Sequence, residues 1–178
     1  MAATFVVEDG TGLANANALA TVAFVDQWNE DHEAATEWSG LNPDTAKEAI
    51  IRKATAWIVW QHRSLWRQYR RSETQALPWP RDEIYDDAEA VSIAKDTVPL
   101  CVQEAVAYAC IRLAQTFTLL ADVTRESAAE SYSYSVPDGK TESFTWKGGG
   151  LQEDEIVMTA VDRMLAPVLH SGPPVYRG

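Results

Sequence analysis

The stretch Gln75-Ala76-Leu77-Pro78-Trp79-Pro80-Arg81 decides how this chain folds. Pro78 and Pro80 each lock φ near the polyproline value. Each also drives the residue before it, Leu77 or Trp79, out of the α region. The segment is an extended strap that no helix can absorb. A tryptophan between two prolines is poorly placed in water, so the strap needs a groove. We expect Leu77 and Trp79 to peg together the helical parts on either side, with Arg81 at the rim. The bland alternative is a loop that happens to hold a tryptophan.

Before the strap, Phe5-Val6-Val7 reads as a brief strand broken by Glu8-Asp9-Gly10-Thr11-Gly12. The Gly-Thr-Gly lacks the Gly-Lys-Ser/Thr of a P-loop and the spacing of a dinucleotide fingerprint. Thr21 is a good N-cap for a helix over 22–32, with Val22, Val25, Trp28 and His32 at near-helical spacing. Trp38 anchors the short polar stretch that follows. Asn42-Pro43 signals the start of a second helix, expected over 43 to about 62. Ile50, Ala54, Trp57 and Gln61 trace one face of it, and Ala49, Ala56 and Trp60 widen the apolar stripe. The helix could run on to residue 71, which would set Arg63, Arg67 and Arg70 or Arg71 on one face with Trp66 and Tyr69 between them. Aromatics among arginines suit stacking on single-stranded nucleic acid. They equally suit a charged protein interface, with the rings in the core.

Beyond the strap, residues 82–96 read as acidic and irregular. Val98-Pro99 then opens a helix over 99 to about 121, where Val102, Val106, Ala109, Leu113, Phe117 and Leu120 make the cleanest amphipathic pattern in the chain. Ala105, Ala107, Ala109 and Ala114 keep that helix slim. Tyr132 and Tyr134, then Phe144 and Trp146, alternate with polar residues around Pro137-Asp138-Gly139, which predicts a β-hairpin at about 131–147. A Gly148-Gly149-Gly150 hinge leads to a helix over about 152–166. Pro173-Pro174-Val175-Tyr176-Arg177 belongs to an extended tail over 170–178. The expectation is a mainly α fold: one helical domain over 1–169, a small bundle of about four helices with an inserted hairpin, and the tail.

The chain has 178 residues and a formal net charge of −11, which argues against general binding of duplex DNA. The charge is uneven, however. Arg52, Lys53, Arg63, Arg67, Arg70, Arg71 and Arg81 fall in one window, opposed only by Glu73. Such a two-signed chain suits contact with an oppositely charged surface. No apolar run reaches the ~18–20 residues of a membrane span, and the N-terminus does not read as a signal peptide. Cys101 and Cys110 on one helix would be separated by roughly 13 Å of rise, too far for a disulfide, and read as core residues. His32, His62 and His170 are scattered, and no catalytic or metal-ligand spacing occurs. The expectation is no enzyme, no cofactor and no metal.

Phe5-Val6-Val7-Glu8-Asp9-Gly10-Thr11-Gly12-Leu13-Ala14-Asn15-Ala16-Asn17, together with Thr74-Gln75-Ala76-Leu77-Pro78-Trp79-Pro80-Arg81 and the Val98-Pro99 helix start, resembles a phage protein group labelled DnaT-like single-stranded DNA-binding. That group is similar to head–tail adaptor proteins of tailed phages. The resemblance spans about residues 4–169, with the tail as a departure. Its adaptor side implies a cyclic homo-oligomer, probably twelve-fold, that docks beneath a portal protein. It also implies a tail-side connector or tail terminator as partner, genomic DNA sliding through the channel, and a place at the virion head–tail junction after assembly in the host cytoplasm. In that setting Arg63, Arg67, Arg70, Arg71, the hairpin aromatics and the tail would be interface residues. Its label implies instead a single-stranded DNA-binding protein of phage replication. The acidic net charge, which would let DNA slide, sets the adaptor first.

Overall fold

The computed structural model describes residues 4–86, 88–115, 129–135, 141–147 and 153–170, with side chains for all of these except 129–135, 141–147 and 153–158. The fold is mainly α with an inserted hairpin. Its elements are α1 (Val22–Asp31), α2 (Thr36–Ser39), α3 (Asp44–Gln61), β1 (Ile84–Asp86), β2 (Val91–Ile93), α4 (Leu100–Ala114), β3 (Ala129–Ser135), β4 (Thr141–Lys147) and α5 (Glu153–Leu165). A single 3₁₀ turn, Ala166–Val168, follows α5.

The slim helix α4 is the centre of the bundle, with α1, α2, α3 and α5 packed around it. Ala105, Ala107 and Ala109 are fully buried with Val102, Val106 and Cys110, so neighbours close in on several faces. Burial pushes the Cys101 thiol up to about 11 and the Cys110 thiol higher still, and neither is in a disulfide. Helix α1 starts as its sequence dictates: Thr21 Oγ1 accepts the Phe24 N–H at 3.0 Å. Trp38 is buried, and its indole N–H donates to Asp26, which also binds Lys47.

Pro43 occupies the N-cap position of α3, after a cis Asn42–Pro43 bond, and no side-chain cap bond is made there, by Asn42 or otherwise. Its buried stripe is Ile51, Ala54, Thr55 and Ile58, joined by Trp57. Trp60 lies outside it, because two residues beyond Ile58 a side chain turns about 200° to the far face. The helix also stops at Gln61. The segment that follows leaves the helix, and Trp66 pairs with Leu169 and Arg70 with Arg81 in isolated antiparallel bridges. Tertiary pairing has overridden a helix-compatible sequence.

The expected irregular stretch after the strap holds a two-stranded sheet instead. Strands β1 and β2 pair Ile84 with Ile93 and Asp86 with Val91. β1 buries Ile84 and Asp86 and exposes Tyr85, but three residues are too few for that alternation to stand out in the sequence. Strands β3 and β4 form the expected hairpin, in a register that pairs Tyr132 with Phe144 and Glu130 with Trp146. The extension of α4 over 116–121, the Gly148-Gly149-Gly150 hinge and the tail with Pro173, Pro174, Val175, Tyr176 and Arg177 lie outside the described residues.

The two stretches that carry the resemblance touch. The Ala76 N–H donates to the Leu13 carbonyl at 3.0 Å. The loop around Leu13 is built by Glu8, whose carboxylate is buried and accepts the N–H groups of Gly10, Gly12 and Leu13 at 2.8–2.9 Å. Gly10 has φ +97°, and a Cβ there would sit 1.9 Å from the Asp96 carbonyl oxygen. Gly12 has φ +84° but meets only ordinary contacts. Gly10→Ala is therefore expected to cost well over about 1 kcal/mol, and more than Gly12→Ala. Denaturant midpoints of the two variants measure the difference.

Candidate functional site

The strap is pegged. Trp79 is 1% exposed and Leu77 is also buried. Trp79 meets Trp66 edge to face at 6.1 Å, Trp66 meets His62 at 6.0 Å, and His62 meets Trp57 at 6.3 Å. A continuous aromatic column thus runs from α3 to the strap. Gln75, buried, shapes the strap from inside: its Nε2 donates to the Leu77 and Pro80 carbonyls, and its Oε1 accepts the Ser72 N–H. The Trp79–Pro80 bond is cis.

Arg81 is not at the rim. It is 8% exposed and its guanidinium donates to the carbonyls of Arg67 at 2.6 Å, Pro78 at 3.1 Å and Gln68. Burial pulls its pKa below the usual arginine value, and the charge of nearby Arg70 adds to the effect. The acceptors are backbone atoms that reach Arg81 only because the chain doubles back. The Arg71 N–H donates to the Pro80 carbonyl and the Asp82 N–H to that of Tyr69, which fastens the 69–71 segment along the strap. Gln68 takes φ +58° at the bend. Arg81 is a clamp that fixes this loop.

The clamp and the end of α3 shape an open groove of about 790 Å³. Trp60 and Tyr69 line it, and they are 67% and 80% exposed. Large rings this exposed are unusual on a chain with a well-filled core. Arg63 and Arg70 line the same groove. Among the described residues the ion pairs are Lys47–Asp26 and His62–Asp162, so neither arginine has a carboxylate partner there. Two rings and two guanidiniums with no carboxylate partner among the described residues share one groove, a surface that suits a polyanion carrying planar groups.

The arginines expected on one helical face, Arg63, Arg67 and Arg70 or Arg71, are divided. Arg63 and Arg70 reach the groove. Arg67 turns to the other side, where its Nη1 donates to the Pro167 carbonyl at 3.2 Å. Arg71 binds the Lys95 carbonyl. Trp66, expected between the arginines, is part of the buried column. The sequence places Trp60 with the apolar stripe; its position three residues before Arg63, on the face away from Ile58, is the signal that marks it. No group of histidine, cysteine, aspartate or glutamate among the described residues is arranged to hold a metal.

A family model described as "Putative DnaT-like ssDNA binding protein" matches residues 3–177. The chain belongs to this DnaT-like family. The match runs through the tail, so the tail is not a departure from the family. The family is described by single-stranded DNA binding and not by virion assembly, which overturns the head–tail adaptor reading. With it goes the twelve-fold ring, and the portal, tail connector and terminator partners lose the reading that implied them. DNA binding is what membership of the DnaT-like family implies. No curated protein and no solved structure matches the chain.

Proposed function

We propose that the chain is a non-enzymatic binding protein that holds single-stranded DNA in the groove between the end of α3 and the strap. Bases stack on Trp60 and Tyr69, and Arg63 and Arg70 take the adjoining phosphates. The observation that carries this reading is the pairing of two exposed rings with two arginines lacking carboxylate partners among the described residues. Base–aromatic stacking tolerates every base, because every base has a π face. The family description agrees with the chemistry.

The acidic remainder of the chain favours a single strand over a duplex. A rigid duplex would bring many phosphates against a protein of net charge −11. A flexible single strand can thread the local cationic groove and avoid the rest.

Salt dependence tests the proposal. With two phosphates neutralised, log K against log salt should fall with a slope of about −1.4, and Arg63→Ala or Arg70→Ala should each remove about 0.7 of it. Trp60→Phe should leave the slope alone. If both arginine variants bind an oligothymidylate with unchanged affinity and slope, the groove is not the strand's path.

A further inference from the structure

The groove has one feature that simple strand binding does not use. Among the described residues that line it, Glu73 is the one carboxylate. It is exposed, and among the described residues it has no ion-pair partner, although Arg63 and Arg70 share the groove. A carboxylate in a phosphate-binding groove opposes the phosphates, so it calls for another role. Other polar groups on the strap side are engaged. Ser72 Oγ bonds to Thr74 Oγ1 at 2.9 Å and accepts the Thr74 N–H. Arg81 is committed to three backbone carbonyls. The turn that carries Glu73 is fixed, because buried Gln75 accepts the Ser72 N–H at 2.9 Å.

We infer that Glu73 reads the edge of a stacked base and gives the groove a preference for guanine. The inference rests on the strand-binding reading above. An ionised carboxylate is an acceptor only, with two oxygens able to take two parallel donors. Its charge repels phosphates, which Arg63 and Arg70 attract, so the base edge is the part of the strand that Glu73 meets. Guanine alone offers two adjacent donors, N1–H and the N2 amino group. Cytosine and adenine each offer one amino group beside a ring nitrogen acceptor that repels a carboxylate. Thymine offers N3–H between two carbonyl oxygens. A two-point match at an otherwise base-tolerant surface converts stacking into selection.

Fluorescence anisotropy with the full chain tests this, using a labelled oligothymidylate of about 12 nucleotides, the same strand with one central guanine, and the same strand with hypoxanthine in its place. The guanine strand should bind about tenfold more tightly than plain oligothymidylate, with hypoxanthine, which lacks the 2-amino group, between them. Glu73→Ala should bring the guanine-to-thymine ratio to about one. Glu73→Gln should move the preference towards adenine, which a carboxamide matches at two points. Equal binding of the guanine and thymine strands by the unaltered protein, or a guanine preference that survives Glu73→Ala, overturns the role of Glu73 and leaves strand binding standing. Failure of every strand to bind overturns strand binding and the role of Glu73 together.

Discussion

Trp79→Ala is expected to destabilise the protein by about 3–5 kcal/mol, the range for truncating a large aromatic in a packed core. The side chain is almost wholly buried and closes the column that runs through Trp66 and His62 to Trp57. Its indole Nε1 has no hydrogen-bond partner among the described residues, so the loss is one of packing and cavity, not of a broken polar contact. Trp79→Phe should therefore recover much of the stability, since a smaller ring fills part of the cavity. Equilibrium urea unfolding reads both. A loss below about 1 kcal/mol for the alanine variant would mean that the strap is not the peg. The strap also holds the Tyr69–Arg71 segment through the Pro80 carbonyl and the Asp82 N–H. Strand binding should thus weaken in Trp79→Ala even under conditions where most of the protein remains folded.

The second large effect is expected at the rings of the groove. Trp60→Ala and Tyr69→Ala should each weaken binding to single-stranded DNA by about 1–3 kcal/mol, the usual contribution of a stacked base. Combined, the two should reach about 2–6 kcal/mol if they act independently. Both side chains are mostly exposed, so the folded protein should lose no more than about 0.5 kcal/mol. This separation of binding from stability distinguishes an interaction surface from a poorly covered piece of core. Titrations at fixed salt, beside thermal unfolding of the same variants, supply both quantities. A double variant that binds as tightly as the unaltered chain would remove stacking from the account.

Much of the fold was legible because its signals are local. Pro78 and Pro80 keep the strap out of any helix whatever the surroundings, and Trp79 between them announces burial. The bends at 76–78 and at Pro80, which break the expected straight run, are set by Gln75 and Arg81 folding back onto strap carbonyls. Val102, Val106 and Ala109 announce a central helix by their spacing, and Thr21 caps α1 through its own hydroxyl. The misplaced residues are those set by chain segments that meet only in three dimensions. Arg81 ends the strap in a position that looks exposed. It is buried because the carbonyls of Arg67 and Gln68 return to meet it. The arginine spacing from Arg63 to Arg71 suits a helix, yet bridges to the strap and to Leu169 pull this segment out of helical geometry. Trp60 was hidden by composition: an aromatic among alanines and isoleucines reads as core until the stripe is centred on Ile51, Ala54 and Ile58. The adaptor role had a weaker root, because net charge does not say which surface meets DNA. It came from resemblance, with the acidic net charge read as letting DNA slide, and the family description corrects it.

Photocrosslinking addresses the central claim most directly. A single-stranded oligonucleotide carrying 5-iododeoxyuridine, irradiated in complex with the full chain, forms bonds to aromatic side chains stacked on the substituted base. Peptide mapping of the adducts should place them at Trp60 and Tyr69, with competition by unlabelled single strand and much weaker competition by duplex. Adducts confined to other residues, or none above background at protein concentrations where anisotropy shows binding, would contradict the assignment of the groove.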